Sequence, residues 1–145
     1  MIVGLDTNIL CYALDSGYPE HTRLEDLLLN LSAENMLALN PTTLHEAYHT
    51  LVFGQKWSPN DAATRFIALI KHPFVEFFNQ TRKTSIIALN LSVKHNLGGR
   101  DALIVANYLS NKIPILLTHD KDLLKLQKIT LNNISLTFVD PLTQK

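Results

Sequence analysis

Ile2-Val3-Gly4-Leu5-Asp6-Thr7-Asn8 is a short apolar run that stops abruptly on a carboxylate. Four uncharged residues are too few for a stable helix and read as a buried strand. Asp6 marks where that strand leaves the core, because an unpaired charge inside it is costly. Further strands are read at the apolar run Met36-Leu37-Ala38-Leu39 and over residues 75–78, 115–118 and 136–139. The fold follows from what lies between these runs.

Helical signals fill the intervals. Residues 8–14 form a short helix closed by Asp15-Ser16-Gly17, and Leu24, Leu27, Leu28 and Leu31 supply an apolar stripe at helical spacing. A helix is expected over residues 43–53, and Ser58-Pro59 opens another with a capping serine and a proline at its first position. Residues 82–94 read as a helix stopped by Gly98-Gly99, residues 101–109 as a strongly apolar helix, and residues 121–126 as a short one. Strands alternating with helices predict an α/β chain. The expected form is a three-layer α/β/α sandwich around a mostly parallel, about five-stranded sheet, one domain over residues 1–145.

Composition narrows the class. A hydrophobic fraction of 46% and a charged fraction of 18% are ordinary for a globular domain. A single cysteine, Cys11, cannot form an internal disulfide, so a reducing, cytoplasmic setting is expected. Met1 leads into a strand without a basic leader, and no apolar run reaches the length of a membrane span. Thirteen basic residues balance thirteen acidic ones. Nonspecific nucleic-acid binders carry a basic excess, so any contact with RNA or DNA must be local.

In a parallel sheet, the carboxyl ends of the strands and the amino ends of the following helices share one edge, where ligands bind. Asp6 follows the first strand, Glu46 sits in the helix after the second, Asp101 opens the apolar helix, and Asp120 follows Thr118. All four belong to that edge. Each has a plainer reading. Thr43-Leu44-His45-Glu46 matches a capping box, Asp6 suits the cap of the first helix, and Asp120 suits a turn. Asp101 resists this: at 100° per residue it falls among Ile104, Val105 and Tyr108 on the apolar stripe, with Arg100 pointing about 100° away. Four carboxylates at one rim repel unless a cation joins them. All-oxygen ligands select Mg²⁺ or Mn²⁺ over zinc, and the matching chemistry is phosphodiester hydrolysis. Asp6 and Asp101 are then the principal ligands, Glu46 orients or deprotonates water, and Asp120 completes the set. Thr7 and Asn8 are placed to hold Asp6 by hydrogen bonds.

The chain resembles the PIN-domain ribonucleases, in particular the VapC-like toxins of toxin–antitoxin pairs. The resemblance rests on the opening strand with Asp6-Thr7-Asn8, on Glu46, on Asp101-Ala102-Leu103-Ile104, and on Thr118-His119-Asp120-Lys121-Asp122-Leu123. It implies a Mg²⁺- or Mn²⁺-dependent endoribonuclease, a homodimer, acting on RNA and silenced by an antitoxin that occupies the acidic pocket. It carries over catalytic and metal-binding roles to Asp6, Glu46, Asp101 and Asp120, with Thr7, Asn8 and Thr118 as supporting polar residues. Leu123 stands where many relatives have phenylalanine. The neutral charge leaves the RNA-binding surface unassigned, with Arg82, Lys83, Arg100 and Lys121 as candidates.

Two other readings stand beside this one. His45-Glu46-Ala47-Tyr48-His49 matches the zinc-peptidase signature H-E-x-x-H, but Val52 stands where the extended motif needs glycine, and no third ligand is evident. That reading leaves Asp6, Asp101 and Asp120 unexplained. The third reading is a non-catalytic binding module that keeps only the PIN fold.

Overall fold

Strand β1 (Ile2–Leu5) lies inside a six-stranded sheet of order β3-β2-β1-β4-β6-β5, seen in a computed structural model that describes residues 1–143. After β1 come helices α1 (Thr7–Leu14), α2 (His21–Leu24) and α3 (Asp26–Leu29), then β2 (Met36–Leu39) and α4 (Pro41–His49). A single π turn over Thr50–Gly54 leads to α5 (Pro59–Lys71) and β3 (Val75–Phe77). Helices α6 (Arg82–His95) and α7 (Gly99–Ser110), β4 (Ile115–Leu117), α8 (Lys121–Leu126), β5 (Lys128–Leu131) and β6 (Ile134–Val139) complete the order. All pairings are parallel except β5 against β6.

The strands alternate faces as their pleat requires. Leu37 and Leu39 join one core with Ile9, Leu10, Leu44 and Phe66 of α1, α4 and α5. Ala38 and Leu116 join the other, with Leu91, Ile104, Val105 and Tyr108 of α6 and α7. The expected three-layer α/β/α arrangement is therefore present. Among the described residues, no helix is long and apolar enough to cross a membrane.

One contact fixes how α7 sits on the sheet. A Cβ on Gly4 would lie 2.7 Å from Cε2 of Tyr108, so only glycine lets the ring lie against β1. The Tyr108 hydroxyl is 3.0 Å from the carbonyl oxygens of both Leu5 and Ala38. Its single proton is shared between the ends of two strands. Asp101 is seven residues earlier, two turns along the same helix face, so this anchor sets where Asp101 emerges.

Several boundaries differ from those read in the sequence. The sheet has a sixth strand, because Asn132-Asn133 (φ 51° and 67°) make a two-residue turn that folds β5 back onto β6. The helix expected to stop at Gly98-Gly99 ends at Asn96, which takes the left-handed conformation (φ 55°), while Gly98 caps α7 instead. The helix expected over residues 43–53 starts two residues earlier and gives way to the π turn after His49. The leucine stripe is split, with Leu24 buried in α2, Leu27 and Leu28 half-buried in α3, and Leu31 half-buried beyond the end of α3.

Candidate active site

The strand order reverses at β1: its chain continues to β2 on one side, and β4 pairs with it on the other. Such a switch point leaves a crevice outside the strand ends. A cleft of about 540 Å³ opens there, lined by Asp6, Thr7, Asn8, Thr42, His45, Glu46, His49, Thr50, Arg100, Asp101 and Asp120. All four acids picked from the sequence share it.

Asp6 is buried at the end of β1 and caps α1, accepting from the Thr7 amide at 2.8 Å. Its other oxygen accepts from the Thr118 hydroxyl at 2.7 Å. The capping reading and the rim reading thus describe one carboxylate. Burial raises its pKa above the ordinary range, the bonds from Thr118 and Thr7 partly offset this, and Asp120 and Glu46 add repulsion.

Glu46 is not a cap. Asn40 fills that position, its side chain accepting from the Thr43 amide at 2.9 Å, so the capping box read from Thr43 to Glu46 does not form. Glu46 lies in the second turn of α4, where one oxygen accepts from the Thr7 hydroxyl at 2.7 Å and the other meets Arg100 Nε at 2.9 Å. Thr7 therefore serves both acids, Asp6 through its amide and Glu46 through its hydroxyl. Asn8 lines the cleft and is exposed, with no hydrogen bond to Asp6.

Asp101 occupies the first turn of α7, half-buried. Its pKa is pushed up to about 6, first by burial, then by repulsion from Asp6, Asp120 and Glu46, with Arg100 pulling the other way. Asp120 caps α8, accepting from the amides of Asp122 at 2.8 Å and Leu123 at 3.1 Å. Its own amide donates to the buried Thr118 hydroxyl at 3.0 Å, so Thr118 ties Asp6 and Asp120 together.

The donor set is chemically suited to a hard divalent cation: carboxylate oxygens, half-buried and mutually repelling. Among the described residues, no three His, Cys, Asp or Glu side chains stand together in place to hold a metal. The cleft gathers the acids without closing them on one point, and Arg100 balances Glu46 directly. His45 and His49, exposed on α4, line the same cleft, and His49 packs on Phe53 with ring centroids 4.8 Å apart. The H-E-x-x-H pair has no third ligand among the described residues, and its glutamate is engaged elsewhere.

Three features of the cleft go beyond what the sequence showed: Asn40 as the cap of α4, the place of His45 and His49 on the wall of the acid cleft, and the reach of Arg100 to Glu46. The first had a signal in Asn40-Pro41, an N-cap residue followed by proline at the first helical position.

A family model for the PIN domain matches residues 3–129. The chain belongs to the PIN domain family. No curated protein matches the chain by sequence. Among solved structures, this PIN domain is similar to the toxin VapC20 of Mycobacterium tuberculosis, described as cleaving the sarcin-ricin loop. The identity is 18%, with 83% of this chain and 91% of that one covered, at a TM-score of 0.68. It is also similar to VapBC-1 of nontypeable Haemophilus influenzae (19% identity, 99% and 100% covered, TM-score 0.66). A third is VapBC2 of Rickettsia felis bound to a promoter DNA fragment (19%, 97% and 100%, 0.64). At these identities the likeness is one of fold, and it spans essentially the whole PIN domain.

Proposed function

We propose that this PIN domain is a metal-dependent endoribonuclease that hydrolyses RNA phosphodiester bonds in the cytoplasm, the toxin of a toxin–antitoxin pair. Its cofactor is Mg²⁺ or Mn²⁺, its partners a cognate antitoxin and a second copy of itself. The observation that carries this reading is the cleft at the β1–β4 switch point. Four carboxylates of a PIN-family chain line it, and Asp6 and Asp101 are both pushed up, first by burial and then by repulsion from the other acids. Such repulsion makes a cation the natural occupant. The toxin and toxin–antitoxin structures that share the fold supply the context.

Asp6 and Asp101 would hold the ion as principal ligands, with Asp120 beside them. A bound Mg²⁺ or Mn²⁺ supplies charge neutralisation at the phosphate and acidifies water. The chain does the rest. Thr118 and Thr7 fix the Asp6 carboxylate so that it keeps one orientation. Glu46, oriented by the Thr7 hydroxyl, accepts the proton of the attacking water. Asp120 is held rigid by two amides of α8, which keeps its second oxygen free for the cleft.

Expressing the protein without antitoxin and sequencing the RNA ends it generates tests this reading. New ends at defined sites, absent with Asp6→Asn, support it. A purified protein that cuts no RNA with either metal favours the non-catalytic module, and zinc-dependent peptide cleavage favours the peptidase.

A further inference from the structure

Among the described residues, Arg100 is the only lysine or arginine that lines the acid cleft. It stands in the first turn of α7 beside Asp101, and its Nε meets Glu46 at 2.9 Å. The pairing is lopsided: the Arg100 side chain is 79% exposed and that of Glu46 21%. The contact runs through Nε, and the exposed guanidinium stands at the cleft lining. An ion pair this exposed is weakly held. An exposed guanidinium in the lining of a cleft is also the group best shaped to grip a phosphate through two parallel hydrogen bonds.

The charge balance of the whole chain makes this position count. Thirteen basic residues against thirteen acidic ones supply no general attraction for a polyanion. The cleft itself holds four carboxylates. Beyond the ion proposed there, a strand entering the cleft meets Arg100 as its basic side chain, since Arg82, Lys83 and Lys121 do not line it.

We propose that Arg100 is the substrate-phosphate contact of this chain. It rests on Glu46 while RNA is absent and transfers to an RNA phosphate when the strand enters. The transfer frees Glu46 for its role toward water, so that arrival of RNA and release of the base are the same movement. This inference rests on the nuclease reading above and adds to it the residue that recognises the substrate backbone.

Two measurements on Arg100→Gln and Arg100→Lys separate this role from a merely structural ion pair. The first is binding of a fluorescently labelled random-sequence 12-nucleotide RNA pool, with Ca²⁺ in place of Mn²⁺ so that nothing is cut. Arg100→Gln is expected to weaken binding about tenfold, the worth of one charge-assisted contact, with partial recovery in Arg100→Lys. The second is calorimetric titration of the RNA-free protein with Mn²⁺. Arg100→Gln is expected to bind Mn²⁺ several-fold more tightly, because the acid cleft loses the positive charge that competes with the ion. RNA binding unchanged within twofold in Arg100→Gln, while wild type still cuts RNA, overturns the assignment of Arg100 alone. A wild-type protein that neither binds nor cuts the pool overturns the nuclease reading, and the assignment falls with it.

Discussion

The Thr118 hydroxyl donates to Asp6 at 2.7 Å across 112 residues of chain, joining the carboxyl ends of β1 and β4. The same oxygen accepts from the Asp120 amide at 3.0 Å, so one buried hydroxyl sets the positions of two acids. It also favours the charged form of Asp6 against the burial that opposes it. A threonine here does what valine, its isostere, cannot.

Thr118→Val therefore removes a bond to a charged group and strands the Asp6 oxygen in a buried position. The expected cost is about 1–2 kcal/mol in urea unfolding. RNA cleavage should fall by about 10- to 100-fold, the usual effect of losing a residue that orients a metal ligand. Thr118→Ser should retain most of both.

Asp6→Asn and Asp101→Asn each keep shape while removing a ligand charge. Both are expected to abolish cleavage while circular dichroism and the cooperative unfolding transition persist. Glu46→Gln should lower the turnover rate by about 100-fold or more without loss of Mn²⁺ uptake of similar size. Unimpaired cleavage by either aspartate variant would refute its assignment.

The raised pKa of Asp101 makes a pH prediction for the protein kept free of metal by chelator. The unfolded chain loses this proton near 3.8, whereas the folded chain holds it to about 6. Between those values the folded state binds more protons, so Asp101 lowers stability as pH rises through the window. Asparagine has no such charge. Asp101→Asn should match wild type near pH 4 and exceed it by on the order of 1 kcal/mol at pH 7, after discount for solvent screening. Added Mn²⁺ should reverse the difference, since only wild type gains a ligand charge for the ion. Equal stability of the two proteins across pH 4–7 would contradict the electrostatic account of the cleft.

Gly4→Ala tests the anchor beneath the site. The new methyl would press on the Tyr108 ring, which cannot retreat without leaving the Leu5 and Ala38 carbonyls. A loss of about 1–3 kcal/mol is expected in denaturant unfolding. Gly4→Ala combined with Tyr108→Phe should not restore it, because the ring itself is the obstacle.

Much of this was legible in the sequence because two periodicities and a rule of topology did the placing. Short apolar strands ending on Asp6 and Thr118 put the acids at one edge, and helical spacing put Asp101 on the buried side of α7. What escaped was whatever depended on distance between elements. Glu46 looked like a cap because Thr43 stood three residues earlier, but Asn40-Pro41 won the cap and moved Glu46 to the second turn, facing Thr7. Arg100 pointed away from Asp101 on the helical wheel, yet its long side chain crosses to α4 and reaches Glu46. The β5–β6 hairpin was overlooked although Asn132-Asn133 carried the signal for its turn.

The most direct test of the central claim is RNA cleavage by the purified, antitoxin-free protein after exhaustive chelation, followed by addition of one metal at a time. Cleavage should vanish with chelator, return with Mg²⁺ or Mn²⁺, and fail to return in Asp6→Asn or Asp101→Asn. Cleavage that persists undiminished in chelator, or no cleavage with either ion, would contradict it.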